Sequence, residues 1–127
     1  MTKKMLIVED EEDILELLST IFSFSKEYKI LLARDGEEAF KIIQEDIPDI
    51  ILLDIQIPKI DGYELCKTIK SDPTTSNTKI LMLTGLAQDY NLQKAIEAGA
   101  NAYITKPFSA SAVVEKVEEL LKSNKSG

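Results

Sequence analysis

The chain has 127 residues, 44% hydrophobic and 29% charged, which is the make-up of one folded domain and excludes a disordered or collagen-like chain. Its net charge is −7, from 22 acids against 15 bases with Arg34 the only arginine, which argues against direct nucleic-acid contact and favours cationic partners, metal ions included. Histidine is absent and Cys66 is the only cysteine, so His-dependent triads, His-ligated metals, thiolate zinc cages and internal disulfides are all excluded.

The N-terminal Met-Thr-Lys-Lys leads into only four apolar residues, Met5-Leu-Ile-Val8, before acid begins. That is too short for a secretory signal, and no later run approaches a membrane span, so the expectation is a cytoplasmic protein without membrane insertion. The same four residues read as a strand buried on both faces, because they are continuously apolar rather than alternating. Behind them, Ile14, Leu17, Leu18, Ile21 and Phe22 recur at helical spacing. Ile30-Leu-Leu-Ala33 predicts a second strand, and Ala39, Phe40, Ile43 and Ile47 a second helix. Ile50-Ile-Leu-Leu53 predicts a third strand, followed by a short helix carrying Leu65, Cys66 and Ile69.

A polar stretch from Ser71 to Thr78 reads as a loop, and Ile80-Leu-Met-Leu83 as the fourth strand. Leu92, Ala95 and Ile96 mark the fourth helix, with Gly99 as its C-terminal cap. Ala102-Tyr-Ile104 predicts the fifth strand, and Ser109 caps a last helix carrying Val113, Val117, Leu120 and Leu121. All four prolines (48, 58, 73 and 107) fall between these segments, where a missing N–H does least harm. Five repeats of strand then helix predict an α/β fold with a parallel sheet covered on both faces. Residues 1–122 form the expected domain and residues 123–127 a frayed polar tail.

In such a sheet, ligands sit beyond the carboxyl ends of the strands. The first strand ends in Glu9-Asp10-Glu11-Glu12-Asp13. Glu11, Glu12 and Asp13 suit a helix N-terminus, where negative charge is favoured. Glu9 and Asp10 lie at the strand end itself, where a dipole role and a ligand role stay open. The third strand ends in Asp54, the fourth in Thr84-Gly85 and the fifth in Thr105-Lys106-Pro107-Phe108. Singly, Asp54 and Thr84 read as turn or cap residues, Lys106 as a solvated loop lysine, and Tyr103 as a half-buried edge aromatic. Together they are more specific. Three clustered carboxylates repel unless a cation joins them, and an oxygen-only donor set selects a hard ion, with Mg²⁺ the best fit. Metal, ammonium and hydroxyl around one carboxylate make a site for a phosphoryl group.

The pattern resembles the receiver domain of two-component response regulators, over nearly the whole chain. The residues that carry it are Val8-Glu9-Asp10-Glu11, Leu53-Asp54-Ile55-Gln56-Ile57-Pro58 with Asp61-Gly62, Leu83-Thr84-Gly85, and Ala98-Gly99-Ala100 with Tyr103-Ile-Thr-Lys106-Pro107-Phe108. The resemblance implies a flavodoxin-like five-stranded sheet of order 2-1-3-4-5 with five helices. It implies that Asp54 accepts a phosphoryl group from a phosphohistidine on a sensor histidine kinase or phosphotransfer protein. Asp10, Asp54 and the backbone carbonyl of Gln56 would bind Mg²⁺, and Glu9 would hold a metal-bound water. Thr84 and Lys106 would contact the phosphoryl oxygens, with a cis bond before Pro107. Thr84 and Tyr103 would form the switch, read by a downstream effector on the face of helix four, strand five and helix five. The chain would be a regulatory phospho-acceptor rather than an enzyme with a substrate of its own. Glu9 stands where many relatives have Asp, and Gln56 and Gly85 occupy positions that tune phosphoryl lifetime. The lack of arginine after Arg34 puts in doubt the dimer that some DNA-binding regulators form through Arg–acid pairs. The alternatives are a docking-only pseudo-receiver and an aspartyl-nucleophile phosphatase, whose Asp-x-Asp pattern would need acid where Gln56 stands. A flavodoxin-like cofactor binder would need a hydroxyl- and glycine-rich loop where five acids lie.

Overall fold

In the computed structural model, which describes residues 2–85 and 89–122, strands and helices alternate through the chain. They are β1 (Lys3–Val8), α1 (Glu12–Ser23), β2 (Tyr28–Ala33), α2 (Gly36–Glu45), β3 (Ile50–Asp54), α3 (Gly62–Ser71), β4 (Lys79–Thr84), α4 (Asp89–Glu97), β5 (Ala102–Thr105) and α5 (Ala110–Lys122). All strand pairs are parallel, in the order β2-β1-β3-β4-β5. The sequence-based tail, residues 123–127, and the side chain of Leu92 in α4 lie outside the described residues.

Successive strand side chains point to opposite faces, so each central strand feeds two cores. Leu6, Val8, Ile51, Leu53, Ile80 and Met82 pack on one face with Ala39 and Ile43 of α2, Leu65, Cys66 and Ile69 of α3, and Ala95 of α4. Met5, Ile7, Ile50, Leu52, Leu81 and Leu83 pack on the other with Leu15, Leu18 and Phe22 of α1 and Val113 and Val117 of α5. Each fully buried Leu or Ile stabilises the fold by about 1.5–3 kcal/mol relative to exposure, before packing effects. This burial explains the unbroken apolar runs of β1, β3 and β4.

Several expectations need correction. β2 and β5 are the edge strands, as the order 2-1-3-4-5 implied, but their apolar runs are not buried like those of the central strands: only Ala33 of β2 is fully buried. On α1 the buried stripe is Leu15, Leu18 and Phe22, while Leu17 is 49% exposed. Both leucines fit a helical period; the approach of the sheet decides between them. Ile96 on α4 faces solvent, and Ile47 lies beyond the end of α2 and is also exposed. The polar stretch after α3 is not wholly solvated: Thr75 and Thr78 are buried, their hydroxyls donating to the carbonyls of Ile69 (2.6 Å) and Pro48 (2.8 Å).

Capping follows local chemistry. Asp35 accepts from the Glu38 N–H at 2.8 Å, Asp61 from the Tyr63 N–H at 2.7 Å, and Ser109 from the Ala112 N–H at 3.1 Å. Gly99 has φ of +94°, and its N–H donates to the Ile96 carbonyl at 3.0 Å, closing α4 as its position suggested. Because every strand runs the same way, the residues after Val8 and those at Asp54, Thr84 and Thr105 share one edge of the sheet.

Candidate functional site

At this edge, Asp54 is the last residue of β3 and only 4% exposed. A buried carboxylate requires partners. One oxygen accepts from the Gln56 N–H at 3.2 Å and the other from the Lys106 ammonium at 3.1 Å. The same ammonium donates to Glu9 at 3.1 Å. Glu9 is fully buried, and its second oxygen accepts from the Glu11 N–H at 3.1 Å. The Glu9 backbone extends the β1–β2 ladder, its N–H donating to the Ala33 carbonyl at 3.0 Å. Asp10, the next residue, is exposed.

Lys106 arrives from the end of β5. Its N–H donates to the Thr84 carbonyl at 2.7 Å, and its bond to Pro107 is cis, as the resemblance implied. Thr84 itself is fully buried, and among the described residues its hydroxyl has no hydrogen-bond partner. An orphaned buried hydroxyl is uncommon and calls for an explanation. Gly85, just after it, is exposed with open space where a side chain would stand. Tyr103, on the edge strand β5, is 39% exposed.

The electrostatics follow from this crowding. Burial, reinforced by the neighbouring Asp54 carboxylate, raises the Glu9 carboxyl from 4.5 to about 7. Burial alone would lower the Lys106 ammonium, but the Asp54 and Glu9 carboxylates outweigh it and the net direction is up.

One oxygen each from Glu9, Asp10 and Asp54 lies within 4.8 Å of the others. Three carboxylates facing one ammonium leave two negative charges when all are ionised, and every donor is a hard oxygen. The donor set therefore fits a divalent hard cation such as Mg²⁺.

The positions singled out in the sequence thus divide clearly. Glu9, Asp10, Asp54, Thr84, Lys106 and the Gln56 backbone meet at one edge; Tyr103 lies outside the polar cluster on the edge strand. Sequence reasoning read Lys106 taken singly as a solvated loop lysine, whereas it bridges Glu9 and Asp54. It also overlooked Gly36, which packs against the loop after Asp54. The available signal was an Asp-Gly pair opening a helix, which by itself reads only as a cap.

The model of the response regulator receiver domain matches residues 5–118. The chain belongs to the response regulator receiver family. It is thus a receiver domain of a two-component response regulator. The chain is 40% identical over 122 residues to the alkaline phosphatase synthesis transcriptional regulatory protein PhoP of Bacillus subtilis, covering 96% of this chain and 50% of that protein. It is 31% identical to the solved structure of a CheY-like receiver domain protein from Methanospirillum hungatei, with full coverage of both chains and a TM-score of 0.91. Chemotaxis response regulator CheY4 of Vibrio cholerae superposes with a TM-score of 0.88 at 27% identity, covering 94% of this chain and 99% of that one. The chain spans about half the length of the curated relatives it matches. Receiver domains of this family are regulatory phospho-acceptors that work with histidine kinases and effector domains. Among the described residues, no helix is long and apolar enough to cross a membrane.

Proposed function

We propose that Asp54 is the phospho-acceptor and that a phosphohistidine on a sensor kinase or phosphotransfer protein is the donor. The observation that carries this is a buried carboxylate held by one ammonium, beside two more carboxylates and a buried hydroxyl that has no partner among the described residues.

An Asp54 carboxylate oxygen attacks phosphorus, the P–N bond to the donor imidazole breaks, and the imidazole leaves with that electron pair. The product is an acyl phosphate on Asp54. Lys106 moves from pairing two carboxylates to pairing a phosphoryl oxygen, without leaving the site. The Thr84 hydroxyl, without a partner among the described residues, gains one by donating to another phosphoryl oxygen. Asp10, Asp54 and the Gln56 carbonyl would hold Mg²⁺, and Glu9 would hold a water of its shell; when bound, the ion neutralises charge on the transferring group. Later attack of water on phosphorus returns the Asp54 carboxylate and inorganic phosphate, and Gly85 leaves that approach open.

The output follows as a population shift. Contacts made only by the phosphorylated site pull Thr84 inward, and the edge-strand aromatic Tyr103 follows. The surface of α4, β5 and α5, with Tyr103 and Ile96 exposed on it, then presents a changed face to an effector protein or domain.

Intact mass after incubation with acetyl phosphate tests the chemistry. One added phosphoryl group that requires both Mg²⁺ and Asp54 is expected, and Asp54→Ala should take none. Labelling that survives Asp54→Ala, or that ignores chelation of Mg²⁺, would refute the assignment.

A further inference from the structure

The loop from Asp54 to α3 is clamped by two glycines, one at each side. Gly62 closes its base: a β-carbon there would lie 2.6 Å from the Asp54 carbonyl oxygen and 2.8 Å from Ile55 Cα. Gly36, the first residue of α2, holds its apex. Its N–H donates to the Pro58 carbonyl at 3.1 Å, and a β-carbon at Gly36 would overlap Ile60 Cβ and lie 2.7 Å from the Ile60 carbonyl oxygen. Asp35, just before it, faces the Lys59 ammonium at 3.7 Å. Lys59 lies between these contacts with φ of +72°, so the chain reverses sharply where α2 grips it.

Two residues before Pro58 lies Gln56, whose N–H donates to the Asp54 carboxylate. The loop's placement therefore sets the Gln56 peptide at the site edge. We infer that Gly36 is a positioning residue for the metal site: by its lack of a side chain and its bond to Pro58, it sets the Gln56 peptide against Asp54. Gly36 touches neither metal nor phosphoryl group. It acts through Pro58 and Ile60. Contacts that orient metal-binding groups in this indirect way commonly change metal affinity by about 10-fold to 100-fold when broken.

Because this rests on the Mg²⁺ reading above, the experiment begins with wild type. Calorimetric titration with Mg²⁺ should show saturable binding; its absence would overturn the metal reading itself. Gly36→Ala is then compared with Val117→Ala, which opens a cavity in the opposite core layer and serves as a stability control. Gly36→Ala should weaken Mg²⁺ binding about tenfold. Val117→Ala should melt earlier but bind Mg²⁺ as wild type does. An unchanged Mg²⁺ affinity in folded Gly36→Ala, or equal weakening in the two variants, would overturn the proposal.

A wild-type measurement keeps the test open if Gly36→Ala does not fold. If loop placement sets metal affinity, metal must in return strengthen loop placement. Mg²⁺ should slow hydrogen exchange of the Gly36 and Ile60 amides, which both donate to the Pro58 carbonyl. Exchange at both amides that Mg²⁺ leaves unchanged, while it binds, would overturn the proposal as well.

Discussion

Replacing Glu9 by glutamine should remove most of the pH dependence of stability that this cluster confers. The Glu9 carboxyl sits at about 7 in the fold, against an ordinary 4.5, because it is buried beside Asp54. In the unfolded chain it loses its proton near 4.5. Between those values the folded state binds the extra proton, so stability falls as pH rises. The gap corresponds to about 3 kcal/mol across the window. The amide that replaces the carboxyl cannot ionise, and it can still donate to Asp54 as a protonated Glu9 would. Glu9→Gln should therefore match wild type near pH 5 and exceed it by about 3 kcal/mol near pH 8, which is about 10 °C in Tm for a domain of this size. Urea melts in EDTA at several pH values measure this. The difference between the two proteins is the quantity to read, because the net charge of −7 adds its own repulsion to both. Parallel stability curves for the two proteins from about pH 5 to about pH 8 would refute the assignment of a raised Glu9 carboxyl.

Lys106→Met leaves Glu9 and Asp54 buried without their shared cation, and should cost about 3 kcal/mol near pH 8 and less near pH 5, where Glu9 protonates; urea melts at both pH values check it. Mg²⁺ at about a hundred times its Kd should stabilise the protein by about 2.7 kcal/mol, and Asp54→Ala should lose most of this gain in a thermal melt. Gly62→Ala forces a β-carbon into the Asp54 and Ile55 backbone and should cost about 1–3 kcal/mol, read as a lower urea midpoint at an unchanged slope.

Much of the candidate site was legible in the sequence for a topological reason. A parallel sheet brings all strand carboxyl ends to one edge, so finding Glu9, Asp10, Asp54, Thr84 and Lys106 after apolar runs already placed them together. The runs themselves were clear because β1, β3 and β4 are covered on both faces. Edge strands were less so: Ile30 and Leu32 look as apolar as Ile51, yet β2 has a neighbour on one side only.

Apolar runs, caps and breakers thus determined the element order, the layered α/β class and the set of strand-end residues, because these depend on local period and direction. Only the tertiary structure decided which charges pair. Lys106 and Glu9 are 97 residues apart, and no pattern within either segment announces their 3.1 Å contact. The same holds for Leu15 over Leu17 on α1, for the buried hydroxyls of Thr75 and Thr78, and for Gly36 against Ile60. Periodicity states which face of an element is apolar. It does not state what lies opposite, and burial, pairing and raised or lowered acidity all arise from what lies opposite.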